Sequence, residues 1–568
     1  MGQTRREAMA MLATGLATSG VLTGTARAFA AIPGDAQAAL LALLPEAAVR
    51  ASIVGGDWAR RCDDPSPEGS AALALAIAAA QRSAPPGDLR ALLDRAATTS
   101  GIPYGRNDPL AAIHRPYGVT PFTGPHIDTP AAMRLIQPIG TAEALDAWQA
   151  KLGAYADALL GLARSLRADE AAGCVPPATL SRATLIQMDA FILVPAERHP
   201  LVLALGERAS ADAAKALTIA KRVQPAMALV RDTLAGITRR GRAEPGVWTQ
   251  PQGDILHAAN FARAGDTIMS PTGAQDYARE ETKRIGALLD RRLAARGFKQ
   301  GTLAERIGGL FAAHPGLVAS DDAEGRAALL EAARSRLVAA QVILPKLLPH
   351  DMTVATVPDL HAVPDAGHDV PGGSFYLPAG FDGARPAALW LDTRSVFALP
   401  VPGVSPLAFH LGLPGEHLAA SLAPTDRPLL ARMAAWPAST DGWACYAERL
   451  AADEGLFARD PFGDIARLSD ELLRAARLVA DVGLHAQRWT RARAEAEMTT
   501  MTGAAQGGSI DRIIAMPGEA ASYTLGLKHV IDLRDAAKKA GGKAFDIRAF
   551  HGALLSGGPR PFASVSAG

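Results

Sequence analysis

The run Glu471-Leu472-Leu473-Arg474-Ala475-Ala476-Arg477-Leu478-Val479-Ala480-Asp481-Val482-Gly483-Leu484-His485-Ala486-Gln487-Arg488-Trp489 decides how this chain is read. No proline interrupts it, and Leu472, Leu473, Leu478, Val479, Val482 and Leu484 cover most of a helix's circumference. What remains is a narrow polar line, because Arg474, Arg477, Asp481 and His485 fall at i, i+3, i+7 and i+11. A charged stripe ordinarily marks a solvated face. Here the rest of the surface is apolar, so the helix is expected inside the molecule with its stripe facing a cavity. Arginines in such a cavity can clamp a carboxylate bidentately, including the terminal carboxylate of a peptide.

The same texture extends in both directions. Residues 70–82, 142–168, 210–239, 273–296 and 323–347 repeat apolar residues at three- and four-residue intervals, and most are bounded by Gly or Pro. Two less regular stretches, 101–128 and 241–265, hold Pro, Gly, Asn and His and read as functional loops. After Pro349 the pattern changes. Residues 352–358, 373–377 and 387–392 are short runs with β-branched or aromatic residues between Pro/Gly turns, which predict a small sheet of two or three strands. Helical texture resumes from 406 to 540. The expectation is a mainly α protein, with an N-terminal helical region over 31–348 and a C-terminal region over 349–568 that carries the sheet and the site helices.

The chain has 568 residues, 49% of them hydrophobic, which is ample for a large core. A net charge of +1 gives no basic excess that would favour nucleic acid. Cys62, Cys174 and Cys445 are far apart, which argues against a disulfide framework. Thr4-Arg5-Arg6 precedes a weakly apolar run that closes on Ala28-Phe29-Ala30, so residues 1–30 read as a cleaved signal peptide of the twin-arginine type. Export to the periplasm or beyond follows. No later stretch reaches about 18 uninterrupted apolar residues, so no membrane span is expected after cleavage.

Three further segments carry chemistry. His410-Leu411-Gly412-Leu413-Pro414-Gly415-Glu416-His417 places three metal-capable side chains in an apolar setting, where burying them is costly unless a partner satisfies them. The spacing is not that of a zincin, and a hydrogen-bonded core histidine or a turn at Pro414-Gly415 is the plainer alternative. Asp441 and Glu448 are seven residues apart and share a helix face two turns apart. They could serve as metal ligands, or as an N-cap and an ion-pair partner. Pro517 suits a helix start that sets Glu519 and Tyr523 one turn apart. The Tyr523 phenol could then stabilise an oxyanion or simply bond within the core.

In order and wording, these pieces resemble the bacterial "domain of unknown function 885" proteins, whose fold and site are similar to helical zinc peptidases such as carboxypeptidase Taq. The family pattern H-E-x-x-P-G-H-H lies over His410–His417, and E-G-W-A-x-Y-x-E over Asp441–Glu448. R-A-x-R-L-x-x-D-x-G-L-H-x-x-x-W lies over Arg474–Trp489, P-G-Q-A-x-S-Y-x-x-G over Pro517–Gly526, and F-H-x-x-L-L-x-x-G-x-x-P over Phe550–Pro561. Upstream, Phe375-Tyr376-Leu377-Pro378 and Gly173-Cys174-Val175-Pro176-Pro177 also match.

The resemblance implies a zinc metallopeptidase-like hydrolase. His410, His417, Asp441 and Glu448 would be the metal set, and Glu416, Tyr523 and His485 the catalytic groups. Arg474 and Arg477 would hold a peptide or small-molecule substrate. The departures sit at the chemistry. The family's glutamate after the first histidine is Leu411, the first of its paired histidines is Glu416, its first helix acid is the shorter Asp441, and its glutamine is Glu519. Two outcomes follow: zinc binding with Glu416 as ligand or displaced general base, or a hydrolytically silent member that binds peptides or another ligand in the same cleft.

Overall fold

The computed structural model describes residues 36–53, 56–84, 86–205, 212–352, 356–364 and 373–565. The expected leader, residues 1–30, lies outside them. The fold is mainly helical, and its long helices begin where sequence chemistry places them. Thr141, Ser270, Asp322 and Asp460 each accept a hydrogen bond from an N–H three residues on, and these caps start Ala142–Ala171, Pro271–Ala295, Ala323–Leu347 and Pro461–His485. Pro271 and Pro461 occupy first-turn positions, where no N–H is needed. The expected 210–239 helix is interrupted by a π turn, Ile219–Val223, before continuing as Gln224–Thr238.

Two expectations are corrected. The second half of the 241–265 stretch is a helix, Gly253–Gly265, entered through Gln252 at φ 55°. Its polar residues suggested a loop, but they point inward: the His257 ring bonds Asp481 at 2.7 Å, and the Asn260 amide donates to the carbonyls of His114 and Pro517. The first strand does not lie at 352–358. Of that span, 353–355 fall outside the described residues and 356–358 are irregular. Proline 358 has no N–H to pair, and the ladder begins one residue later, where Asp359 N–H donates to Ala387 O.

The sheet has three strands, β1 (Asp359–Ala362), β2 (Phe375–Leu377) and β3 (Ala388–Leu391). Strand β3 is central, parallel to β1 (Asp359 opposite Ala388) and antiparallel to β2 (Phe375 opposite Trp390). Its buried Leu389 and Leu391 join Leu329, Ala333, Val404 and Leu411 in one apolar cluster, which seats the sheet on helices Ala323–Leu347 and Val401–Leu411.

Helix Pro461–His485 runs through the interior, packed on Pro271–Ala295, Val401–Leu411 and Arg491–Thr502. Helix Pro437–Asp453 packs on Ala521–Gly541, and at their crossing Gly442 meets Gly526. A Cβ on Gly442 would come within 2.4 Å of the Gly526 carbonyl carbon, and one on Gly526 within 2.3 Å of Ala438 O. Main chains approach this closely only where side chains are absent. The three cysteines are free, and no described helix is long and apolar enough to cross a membrane.

Candidate functional site

Five helices supply the site. His410 lies in the last turn of Val401–Leu411, the chain reverses through Gly412–Gly415, and Glu416 opens the helix Glu416–Ser421. The reversal is tight: a Cβ on Gly415 would lie 1.9 Å from His410 O. The Trp443 indole N–H donates to Pro414 O at 2.9 Å and Gly415 O at 3.2 Å, tying the turn to helix Pro437–Asp453. His410 is thereby set against Glu448, with Glu416 on the other side of its ring.

His410 Nδ1 is 2.7 Å from Glu448 Oε1, and Arg474 Nη1 donates to the same oxygen at 2.7 Å. The carboxylate can only accept here, so Nδ1 carries the hydrogen and Nε2 is left with its lone pair. Nε2 faces Glu416, with Oε1 at 3.7 Å. That is too long for a hydrogen bond. Two ligands of one divalent cation bound at about 2.1 Å stand roughly 3.4 Å apart in tetrahedral geometry. Donor atoms of His410, Cys445 and Glu448 also lie within 4.8 Å of one another, on buried residues. An imidazole and a facing carboxyl are ligand types that a divalent cation accepts, while Cys445 is grouped with Glu448 and not with Glu416.

The electrostatics agree with the burial. Desolvation, followed by the Arg474 charge, lowers the His410 pKa and keeps the ring neutral. For Glu448 burial pushes the other way, but Arg474 and His410 outweigh it and hold the carboxyl below the usual range. Glu416 is pushed up to about 8 by burial and then by Asp441. Asp441 is pushed up to about 7 by burial, against the Ser522 hydroxyl that donates to Oδ2 at 2.5 Å. Burial also raises the Cys445 thiol. Among the described groups, then, two carboxyls stand here without a cation of their own, while Arg474 serves Glu448.

The remaining expected residues divide. Tyr523 has its ring 6.3 Å from that of His410, with the Arg474 and Arg477 guanidinium carbons 5.7 and 5.8 Å from its centre. The Asp441 charge and then burial raise its phenol, which stays protonated. Arg477 reaches Glu519 at 3.4 Å, and its Nε is buried with no partner among the described residues. Glu519 is held mainly by Arg512, at 2.5 and 3.2 Å.

His417 is not brought to His410. It accepts from the Tyr376 hydroxyl at 3.0 Å and donates from Nε2 to Thr356 O at 2.7 Å, so both ring nitrogens are used on the sheet side. His485 is likewise occupied: Val247 N–H donates to Nδ1 and Nε2 donates to Ile513 O, each at 3.0 Å. Burial lowers its pKa to about 4. Below the arginines the stripe is therefore structural, with Asp481 joining His257 to the N–H of Gly518. Arg474, expected to hold substrate, is committed to Glu448.

Sequence reasoning left Cys445, Ser522, Trp443 and His257 without roles. Cys445 could have been found, since it is three residues before Glu448 and so on the same face. His257 could not, because its partner Asp481 is 224 residues away.

The family described as "Bacterial protein of unknown function (DUF885)" matches residues 45–567. Among solved structures, a lipoprotein candidate from Colwellia psychrerythraea is 26% identical, with a TM-score of 0.86 over 93% of this chain and 96% of that one. A second, from Shewanella oneidensis and of unknown function, is 15% identical with a TM-score of 0.65 over 93% and 98% of the two chains, a likeness of fold. No curated protein matches the chain.

Proposed function

The chain belongs to the bacterial DUF885 family, and we propose that it is an exported, metal-dependent peptidase-like hydrolase whose cation is shared by His410 and Glu416. The observation that carries the reading is the 3.7 Å separation of His410 Nε2 and Glu416 Oε1, which suits ligands of one cation and not a hydrogen bond. Glu448 bonds the far side of the His410 ring, as a second carboxylate commonly does behind a metal-bound histidine. Zinc, the cation favoured here, would supply carbonyl polarisation and an acidified water. Asp441, whose carboxyl burial pushes up to about 7, would take up and release a proton near neutrality. The protonated Tyr523 phenol can donate to a developing oxyanion, and Arg477, whose buried Nε has no partner among the described residues, can orient a substrate carboxylate. Export is supported by the twin-arginine-type leader in the sequence and by the description of the Colwellia relative.

A specific observation favours a second reading, ligand binding without hydrolysis. Leu411 stands where the family pattern has glutamate, and its side chain is buried in the apolar cluster under the sheet. Metal analysis separates the two. The hydrolase reading expects about one zinc per chain after equilibration, lost in His410→Ala and weakened in Glu416→Gln, with cleavage of a peptide or ester library by the loaded protein. Folded protein that takes up no stoichiometric zinc would overturn it. Zinc-loaded protein that cleaves nothing would leave the binding reading.

A further inference from the structure

Beside the charged site lies a cavity of about 530 Å³, the volume of a ligand with several carbon atoms and not of a few waters. Its walls are mostly apolar, with Leu310, Phe311, Leu407, Phe462 and Leu473 among them. No lysine or arginine is among its lining residues, and two carboxylates are, Asp392 and Asp470. Asp392 is neutralised: Arg394 binds it through two nitrogens at 2.8 and 2.7 Å, and Gly373 N–H donates to it. Asp470 makes no hydrogen bond or ion pair among the described residues: Arg474, one turn further along the helix, is turned to Glu448 and acts on Asp470 only through its charge.

An unpaired carboxylate on an apolar wall is costly unless a cation of matching shape covers it. We propose that this cavity binds an organic ammonium on an apolar stem, with Asp470 as its counter-ion and the five apolar side chains around its stem. A metal ion does not fit the description, since Asp470 is the one lining carboxylate left unpaired among the described residues and the other polar lining residues, Ser374, Ser469, Thr502 and Gln506, offer only neutral groups. Leu407 and Leu473 lie on the wall one helical turn from His410 and next to Arg474, so a ligand seated here extends toward the cation site. The inference thus deepens the hydrolase reading by naming the group a substrate carries beside the bond attacked, but binding itself needs no metal.

The test is calorimetric titration of the full chain with 4-phenylbutylamine, 4-phenylbutanol and 4-phenylbutyrate, in EDTA and again with zinc. The amine should bind at least about tenfold more tightly than the alcohol, as expected of a charge-assisted contact in a partly buried site, and the carboxylate least. Asp470→Asn should erase the preference for the amine and leave the affinity for the alcohol unchanged. Ala466→Trp, which fills the cavity from its wall, should abolish both and serves if the first variant fails to fold. Two further arms, phenylalaninamide and Nα-acetyl-lysine anilide, compare a peptide's terminal ammonium with a lysine side chain. Either binding more tightly than its N-acetylated form supports the proposal and identifies the source. Equal affinity for amine and alcohol, or an amine preference that survives Asp470→Asn, overturns it. Because the EDTA arm is read alone, its failure leaves the zinc reading standing, and a metal-free protein leaves this one standing.

Discussion

Replacing Arg474 by methionine removes the one cation that contacts Glu448 among the described residues, while keeping the length of the side chain. Glu448 is 2% exposed and Arg474 17% exposed, and they meet at 2.7 Å. Screening by water is therefore slight, and the relevant comparison is with a buried pair broken on one side. Such a break costs about 3–5 kcal/mol, most of it the penalty of an uncompensated buried charge. For a cooperative unit of roughly 500 residues the melting entropy is about 1 kcal/mol per degree, so the midpoint should fall by about 3–5 °C. The penalty belongs to Glu448, so Glu448→Gln in the same background should restore part of the loss. The assay is a double-mutant cycle on Arg474→Met and Glu448→Gln by thermal and denaturant unfolding, in EDTA. A coupling of more than about 1 kcal/mol is expected. Additive effects, or a cost below about 1 kcal/mol for Arg474→Met alone, would refute the argument that this arginine holds the carboxylate ionised. Repeating the cycle with zinc adds information, because a cation that engages Glu448 should reduce the cost of losing Arg474.

Asp441→Asn should flatten the pH dependence of stability. A carboxyl whose folded pKa is raised to about 7 contributes stability that is present below its unfolded value and lost as pH rises through 7, so metal-free Asp441→Asn should gain on the wild type between pH 6 and 8, read as the difference in melting midpoints. Gly442→Ala should cost about 1–3 kcal/mol by forcing apart main chains that touch at Gly526, and denaturant titration measures it. Trp443→Phe should cost about 1–2 kcal/mol through the carbonyls of Pro414 and Gly415 that lose their donor. It should also weaken zinc uptake more than Tyr446→Phe does, because only Trp443 holds the turn between His410 and Glu416. Equal zinc uptake in the two variants would count against that role.

The buried helix was legible in its own letters, since an apolar circumference with one polar line has few other homes. The use of the line was not. Arg474 and Arg477 turn to acids of the site, whereas Asp481 and His485 serve His257, Gly518 and the main chain of 247 and 513. The partner helix, Gly253–Gly265, reads as a loop in the sequence because its polar residues give no sign that their partners lie inside. His417 shows the same limit: only tertiary structure could reveal that Tyr376, on β2, and Thr356, just before β1, would take both its nitrogens. The sheet itself was visible as a change of texture, and its first strand was displaced because Asp359-Leu360-His361-Ala362 lacks the β-branched residues that advertise a strand.

The glycine-on-glycine crossing of Gly442 and Gly526 has a consequence for how this protein can vary. Where helices meet through side chains, every change of volume at the contact resets their spacing. Here the spacing is fixed by peptide units, which do not change when residues are exchanged nearby. Asp441 is the neighbour of one glycine and Ser522 lies a turn before the other, so their 2.5 Å bond is gauged by the main chain and not by the surrounding hydrocarbon. Mutational drift at Tyr446, Leu527 or Val530 is thereby uncoupled from the acid–hydroxyl geometry, and a library randomised at those three positions should lose members to misfolding long before it loses the alignment of Asp441 with Ser522.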